Sequence, residues 1–131
     1  MRAIDSSSLA KFLSKEPGWR DIRELILEGV VTLDLAVKEV TNALWKKVLR
    51  EEMKAQDAGK IITDLIEGDV IKLADQRNHI QKAFEIALNN KITIHDSLFI
   101  ALAKKLHTEL ITSDSRQAEA AEKEGVRVRK V

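Results

Sequence analysis

The sequence predicts an α/β domain, a three-layer α/β/α sandwich built on a small, mainly parallel five-stranded sheet. Three observations predict it. Short apolar runs alternate with amphipathic helical stretches from one end of the chain to the other. A helical stretch separates each run from the next, and parallel strands need such a crossover of about a dozen residues or more. The 131 residues, 44% hydrophobic and 33% charged, suffice for one self-supporting core, so a single domain spanning residues 1–131 is expected.

Arg2–Ile4 reads as the first strand. Leu9, Phe12 and Leu13 mark a first helix, punctuated by Pro17-Gly18. Trp19, Ile22, Leu25 and Ile26 mark a second, stopped by Gly29, and Val30–Leu33 is the next strand. Ala36, Val40, Ala43, Leu44 and Val48 mark a third helix. Ala55, Ala58, Ile62 and Leu65 mark a fourth, stopped by Gly68 before a strand over Val70–Leu73. Ile80, Phe84, Ala87 and Leu88 give a fifth helix, and Leu98, Ala101, Leu102 and Leu106 a sixth. Glu109–Thr112 is a strand, and a last helix runs through Ala118 and Ala121 to Gly125. Each helix carries the i, i+3, i+4, i+7 stripe, and several stop at glycine. The final strand, Val126–Val131, alternates valine with Arg127, Arg129 and Lys130, as an edge strand with one wet face does.

Composition narrows the function. With no cysteine, disulfides and thiolate metal sites are excluded, which suits a reducing cytoplasm. The N-terminus lacks a signal-peptide pattern, and no apolar run approaches the roughly 20 residues of a membrane span. Lys and Arg number 22 against 21 Asp and Glu, a formal net charge of +1. Bulk charge therefore does not drive nucleic-acid binding, which would need a local patch or bound cations.

Ligands of open α/β sheets bind beyond the carboxyl ends of the strands, where the strand order reverses. Asp5 directly follows the first strand, and Asp114 follows the fourth in "LITSDSR". Both project from one sheet edge. Glu39, in "AVKEVTNAL", lies between Leu35 and Ala43 on its helix, with Asn42 about one turn on. Asp96, in "TIHDSLFIALA", sits in the first turn of a strongly apolar helix. Each acid also has a structural reading. Asp5 can cap the first helix, Thr93 and Asp96 have capping-box spacing, Asp114 can start the last helix, and Glu39 can be a partly buried surface acid. Taken together, four acids around one edge repel unless protons or cations neutralise them. Hard oxygen donors without His or Cys suit Mg²⁺ or Mn²⁺.

Other constellations are missing. His79, His95 and His107 form no pair at ligand spacing, no P-loop or G-x-G-x-x-G occurs, and the serines form no G-x-S-x-G elbow. Trp19 and Trp45 read as core or interface residues rather than base-stacking platforms.

The ordered set of Asp5-Ser6 after an opening strand, the "E-x-x-N-A-L" element at Glu39, "HDSLFIALAKKL" at Asp96 and "LITSD" with Thr112 and Asp114 resembles the PIN-domain family. The likeness is strongest to the VapC-type toxin ribonucleases of prokaryotic toxin–antitoxin pairs, and it covers nearly the whole chain. His95 before Asp96 and Ser115 after Asp114 are local departures that remove no carboxylate. The resemblance implies endonucleolytic RNA hydrolysis by metal-activated water, leaving a 3′-hydroxyl and a 5′-phosphate. It implies that Asp5, Glu39, Asp96 and Asp114 hold Mg²⁺ or Mn²⁺, with Asp5 and Asp96 the core ligands. Ser6, Asn42 and Thr112 then support ligands or position water, and Arg116 grips substrate backbone. A homodimer and a cognate antitoxin protein are implied as well.

Two other readings compete. A non-catalytic PIN-like module acting through protein or RNA contacts would be expected to have lost an acid of the quartet. A phosphoryl-accepting receiver-like domain would want a second acid beside Asp5 and a lysine at a later strand end, where this chain has Ser6–Ser8 and Thr112–Asp114.

Overall fold

In the computed structural model, which describes residues 1–131, the apolar runs form strands Arg2–Ile4 (β1), Val30–Leu33 (β2), Ile71–Ala74 (β3), Leu110–Thr112 (β4) and Val128–Lys130 (β5). They make one sheet in the order β3-β2-β1-β4-β5. Every neighbouring pair is parallel, so the sheet has no antiparallel member at all. The helices are Ser6–Leu13 (α1), Trp19–Leu27 (α2), Leu35–Leu49 (α3), Ala55–Glu67 (α4), Ile80–Asn90 (α5), Ile94–Lys105 (α6) and Ser115–Lys123 (α7).

Strand order and handedness build the three layers. From β1 the chain steps outward through β2 to β3, then returns across the sheet to β4 and β5. With right-handed crossovers, α1–α4 cover one face and α5–α7 the other. The packing agrees: α1 meets α2 and α3, α3 meets α4, and α6 lies between α5 and α7. The order therefore reverses between β1 and β4, the place where ligands of such sheets sit.

Helix α6 is the central helix of its layer. Ser97–Ala103 are all buried, and the helix crosses β1, β2 and β4. Residues apolar on every side leave it no wet face. At the N-terminal edge of the sheet, Arg2 bonds both Glu28 and Glu109, so the charges there are paired.

Boundaries differ from the sequence reading at several ends: β4 starts at Leu110 rather than Glu109, β3 runs on to Ala74 and β5 stops at Lys130. β3 starts at Ile71, because Val70 is 65% exposed and outside the ladder. β5 starts at Val128, and Val126 packs into the core ahead of it. A short 3₁₀ turn, Gln76–His79, precedes α5. Its polar residues show no apolar period, and the Asp75 carboxylate holds it by accepting the Arg77 N–H.

Two glycines in or beside α4 behave oppositely. A Cβ at Gly68 would lie 2.4 Å from the Asp64 carbonyl oxygen, whereas one at Gly59 meets nothing within 4 Å. Gly68→Ala is expected to destabilise by about 1–3 kcal/mol through forced backbone movement. Gly59→Ala, inside the helix, is expected to stabilise by about 0.5–1 kcal/mol. Urea denaturation of both variants checks this opposition.

Candidate functional site

Asp5 leaves β1 as the N-cap of α1. The register pairs Ala3 with Leu110 and Ile4 with Ile111, so the next step puts Asp5 beside Thr112, and its N–H donates to the Ile111 carbonyl. Parallel strands about 4.8 Å apart make that contact unavoidable. The Thr112 hydroxyl lies 2.5 Å from Asp5 Oδ2, Ser8 N–H donates to Oδ1 at 2.9 Å, and the Ser7 hydroxyl is shared between both oxygens. Asp5 is only 2% exposed. Burial pushes its carboxyl above the usual range, against the pull of Thr112, Ser8 and Ser7.

Proton counting at Thr112 agrees with that direction. Its hydroxyl accepts the Asp114 N–H and has one hydrogen for two acceptors, Asp5 Oδ2 and Gln117 Oε1 at 3.0 Å. With Asp5 ionised, one acceptor goes unserved; with a proton on Asp5, both are served.

Asp114 caps α7, its Oδ1 accepting the N–H groups of Arg116 and Gln117 at 2.8 and 3.0 Å. Asp96 stands in the first turn of α6, where Thr93 caps its N–H at 3.2 Å. Half-burial, then the charge of Asp114, hold the Asp96 carboxyl above the usual range, while Thr93, His95 and Arg116 pull it down. Asp96 and Asp114 are thus brought together electrostatically. Glu39 of α3 accepts from the Ser6 hydroxyl at 2.7 Å, which ties it to the residue beside Asp5. Asn42 makes no side-chain hydrogen bond and shares an open cavity with Glu39 and His95, so the partner of Glu39 is Ser6. Arg116 is exposed and acts on Asp96 through its charge.

Gln117, three residues after Asp114, is not among the site residues expected from the sequence. It is buried, takes up the Thr112 hydroxyl, and donates through Nε2 to the Asp96 carbonyl at 2.8 Å. It therefore ties the start of α6 to β4 and α7. The helical phase, which sets Gln117 on the same side as Ala120 and Ala121, carried that signal.

None of the four acids has a Lys or Arg nitrogen within 4.0 Å. No three acidic or imidazole groups already converge as a metal cage. Mg²⁺ seldom uses an all-protein cage; it keeps waters and takes one or two carboxylates plus substrate phosphate. The donor set fits such an ion. Asp96 and Asp114 offer mutually repelling oxygens, and Asp5 has three donor hydrogens on about four lone-pair sites, leaving about one.

Residues 3–123 match the model of the PIN domain family. The chain is 29% identical over 119 residues to a protein named Ribonuclease VapC3 from Pyrobaculum aerophilum, covering 88% of this chain and 91% of that one. Among solved structures, PAE2754 from Pyrobaculum aerophilum superposes with a TM-score of 0.74 at 18% identity, over 97% of this chain and 82% of the other. FitAcB from Neisseria gonorrhoeae superposes with a TM-score of 0.66 at 18% identity, over 98% and 96%. Both structural likenesses concern the fold.

The raised Asp96 carboxyl sets a pH dependence. Its folded value lies above the unfolded 3.8, so between the two the folded state holds more protons. Stability from this group then falls as pH rises through that window and stays lower above it. In chelator, Asp96→Asn is expected to melt higher than wild type at pH 7 and to converge with it as pH falls towards 3.8. Added Mg²⁺ or Mn²⁺ should raise the wild-type melting temperature more than that of the variant. Thermal melts across pH check both expectations, and equal melting at pH 7 would exclude the charge conflict.

Proposed function

This chain belongs to the PIN domain family, and from that premise we propose that it is a divalent-metal-dependent endoribonuclease, the toxin of a toxin–antitoxin pair acting in the cytoplasm. One observation carries the reading: Asp5 stands beside β4 at the switch point of a parallel sheet, Asp96 and Asp114 face each other at the neighbouring helix starts, Glu39 is tied in through Ser6, and no basic side chain pairs any of the four. Arg2, by contrast, pairs the acids at the opposite edge. RNA as substrate is supported by the relative named a ribonuclease. The antitoxin and a homodimer rest on the family reading. No helix is long and apolar enough to cross a membrane.

The residues divide the work as follows. Asp5 and Asp96 are the principal metal holders, with Asp114 and Glu39 completing the acidic wall. Thr112, Ser7 and Ser8 fix the Asp5 carboxylate, and Ser6 fixes Glu39. Gln117 holds the backbone of Asp96 in place. Arg116, exposed beside Asp96, meets the substrate phosphate. Mg²⁺ or Mn²⁺, when bound, makes water nucleophilic near neutral pH and offsets charge developing on the phosphate. Asn42 stands on the cavity wall beside Glu39, within the reach of substrate rather than of the carboxylates.

Purified protein is expected to cut a mixed-sequence RNA pool with Mg²⁺ or Mn²⁺ and not with EDTA. Asp96→Asn and Asp5→Asn should each lose at least about 100-fold in rate, the scale of a lost charge-stabilising group. Glu39→Gln and Asp114→Asn should lose less. Absence of cutting under every condition, together with no metal-induced shift in melting, would leave the non-catalytic binding module as the better account.

A further inference from the structure

Lys38, Asn42, Lys46 and Arg50 recur at the four-residue spacing of a single helix face, with Glu39 on the same face, running down α3 and its C-terminal cap. That face bounds an open cavity of about 630 Å³, whose rim includes His95, the neighbour of Asp96. Glu39 stands at the end nearest the acids, through Ser6. With a rise of about 1.5 Å per residue, Lys46 and Lys47 lie about 11–12 Å further along the helix axis and Arg50 about 17 Å.

Three of these cations, Lys38, Lys46 and Arg50, are free to bind something else, and Lys47 is held between two carboxylates. Lys38, Lys46 and Arg50 have no carboxylate within 4.0 Å, and Lys47 reaches Glu16 at 3.9 Å and Glu52 at 4.0 Å. Residues 35–50 carry four basic side chains and one carboxylate, in a chain whose formal net charge is +1. Favourable charge at a helix C-terminus accounts for Lys46 and Lys47 but not for Lys38 near the other end.

A second observation points the same way. Trp45 is 55% exposed, whereas Trp19 packs on Phe12 with ring centroids 6.3 Å apart. Trp45 follows Lys38 by one heptad, so the two lie within about 20° of each other around the helix. An exposed indole at the edge of a face with unpaired cations, beside Lys38, matches the composition of single-strand nucleic-acid surfaces, where bases stack on aromatics and phosphates follow the charge. Of the core and interface readings of Trp45, its exposure excludes the core.

We propose that this face of α3 is the track by which single-stranded RNA reaches the acids, its backbone on Lys38, Lys46 and Arg50 and a base stacked on Trp45 at the edge of the face. The proposal rests on the ribonuclease reading above and assigns that site its substrate class and approach. Stacking requires an unpaired base, so duplex RNA is excluded from the track.

The test is binding of a fluorescein-labelled, mixed-sequence single-stranded RNA oligonucleotide to the full chain in EDTA, over a series of salt concentrations. The triple variant Lys38→Gln, Lys46→Gln, Arg50→Gln is expected to bind at least about tenfold more weakly. Its log–log salt slope should shrink by about 2, at about 0.7 per lost phosphate contact. Trp45→Ala should bind at least about fivefold more weakly, Trp45→Phe should retain most affinity, and RNA should quench Trp45 fluorescence. Unchanged affinity and slope in the triple variant, with no quenching, overturns the proposal even if the protein cuts RNA. Exposed Leu49, one turn beyond Trp45, makes a second copy of the chain the rival occupant. A dimer that Trp45→Ala dissociates in sedimentation, with RNA affinity intact, gives the face to that copy and overturns the track. RNA bound through α3 by a protein that never cuts would instead sink the nuclease reading and leave the track standing.

Discussion

Negative charge collected at the carboxyl edge of the sheet, without basic side chains to pair it, is the constraint around which the site is arranged. An all-parallel sheet delivers every strand end to the same edge, and with it the start of each following helix. The N-termini of α1, α6 and α7 meet there, each with an aspartate as its cap or in its first turn. Each such terminus carries roughly half a positive charge, which offsets part of the acids' repulsion. The offset is incomplete, because Asp96 still feels both its burial and Asp114. The two ends of the sheet differ: Arg2 joins Glu28 and Glu109 at one, and at the other no basic side chain pairs the acids.

Capping and the proposed ligation are not rivals at these residues. Asp5 caps α1 through Oδ1 while Oδ2 meets Thr112, and Asp114 caps α7 through Oδ1. A carboxylate has enough lone pairs to do both, and capping aims it without a separate scaffold. The acids at the ends of β2 and β3 show what happens without the second role. Asp34 accepts the Gln76 N–H and Asp75 chelates Arg77, both from outside the switch point. Their strand-end signature in the sequence matches that of Asp5, and their surroundings do not.

That comparison explains what was legible in the sequence. Periodicity placed seven helices and five strands, since each has one clear apolar pattern, and the alternation of Val126–Val131 marked the edge strand. It missed the 3₁₀ turn at Gln76–His79, whose residues carry no apolar period, and put β3 one residue early because Val70 is apolar but lies outside the ladder. The acids were legible as strand-end and helix-start residues. Their partners were not. Whether Glu39 meets Ser6 or Asn42 depends on how α1 packs on α3, and the role of Gln117 depends on three elements converging. Such contacts are set by register and packing, which local spacing does not encode.

Net charge misleads in the same way, because it sums what the fold separates. A total of +1 conceals an acidic edge and a basic face of α3 that share one cavity through Glu39. For a polyanion these surfaces pull in opposite directions. The α3 cations attract the backbone at any metal concentration, while the acids repel the phosphate nearest them until divalent ions occupy the site. Attraction to a phosphate chain is long-ranged at low salt and summed over several contacts, so the basic face determines capture. Repulsion by the acids is local, so it determines whether the captured phosphate settles at the switch point. On the proposed reading, binding and cutting are therefore separable properties of adjoining surfaces, joined by the single helix that carries both Glu39 and Lys46.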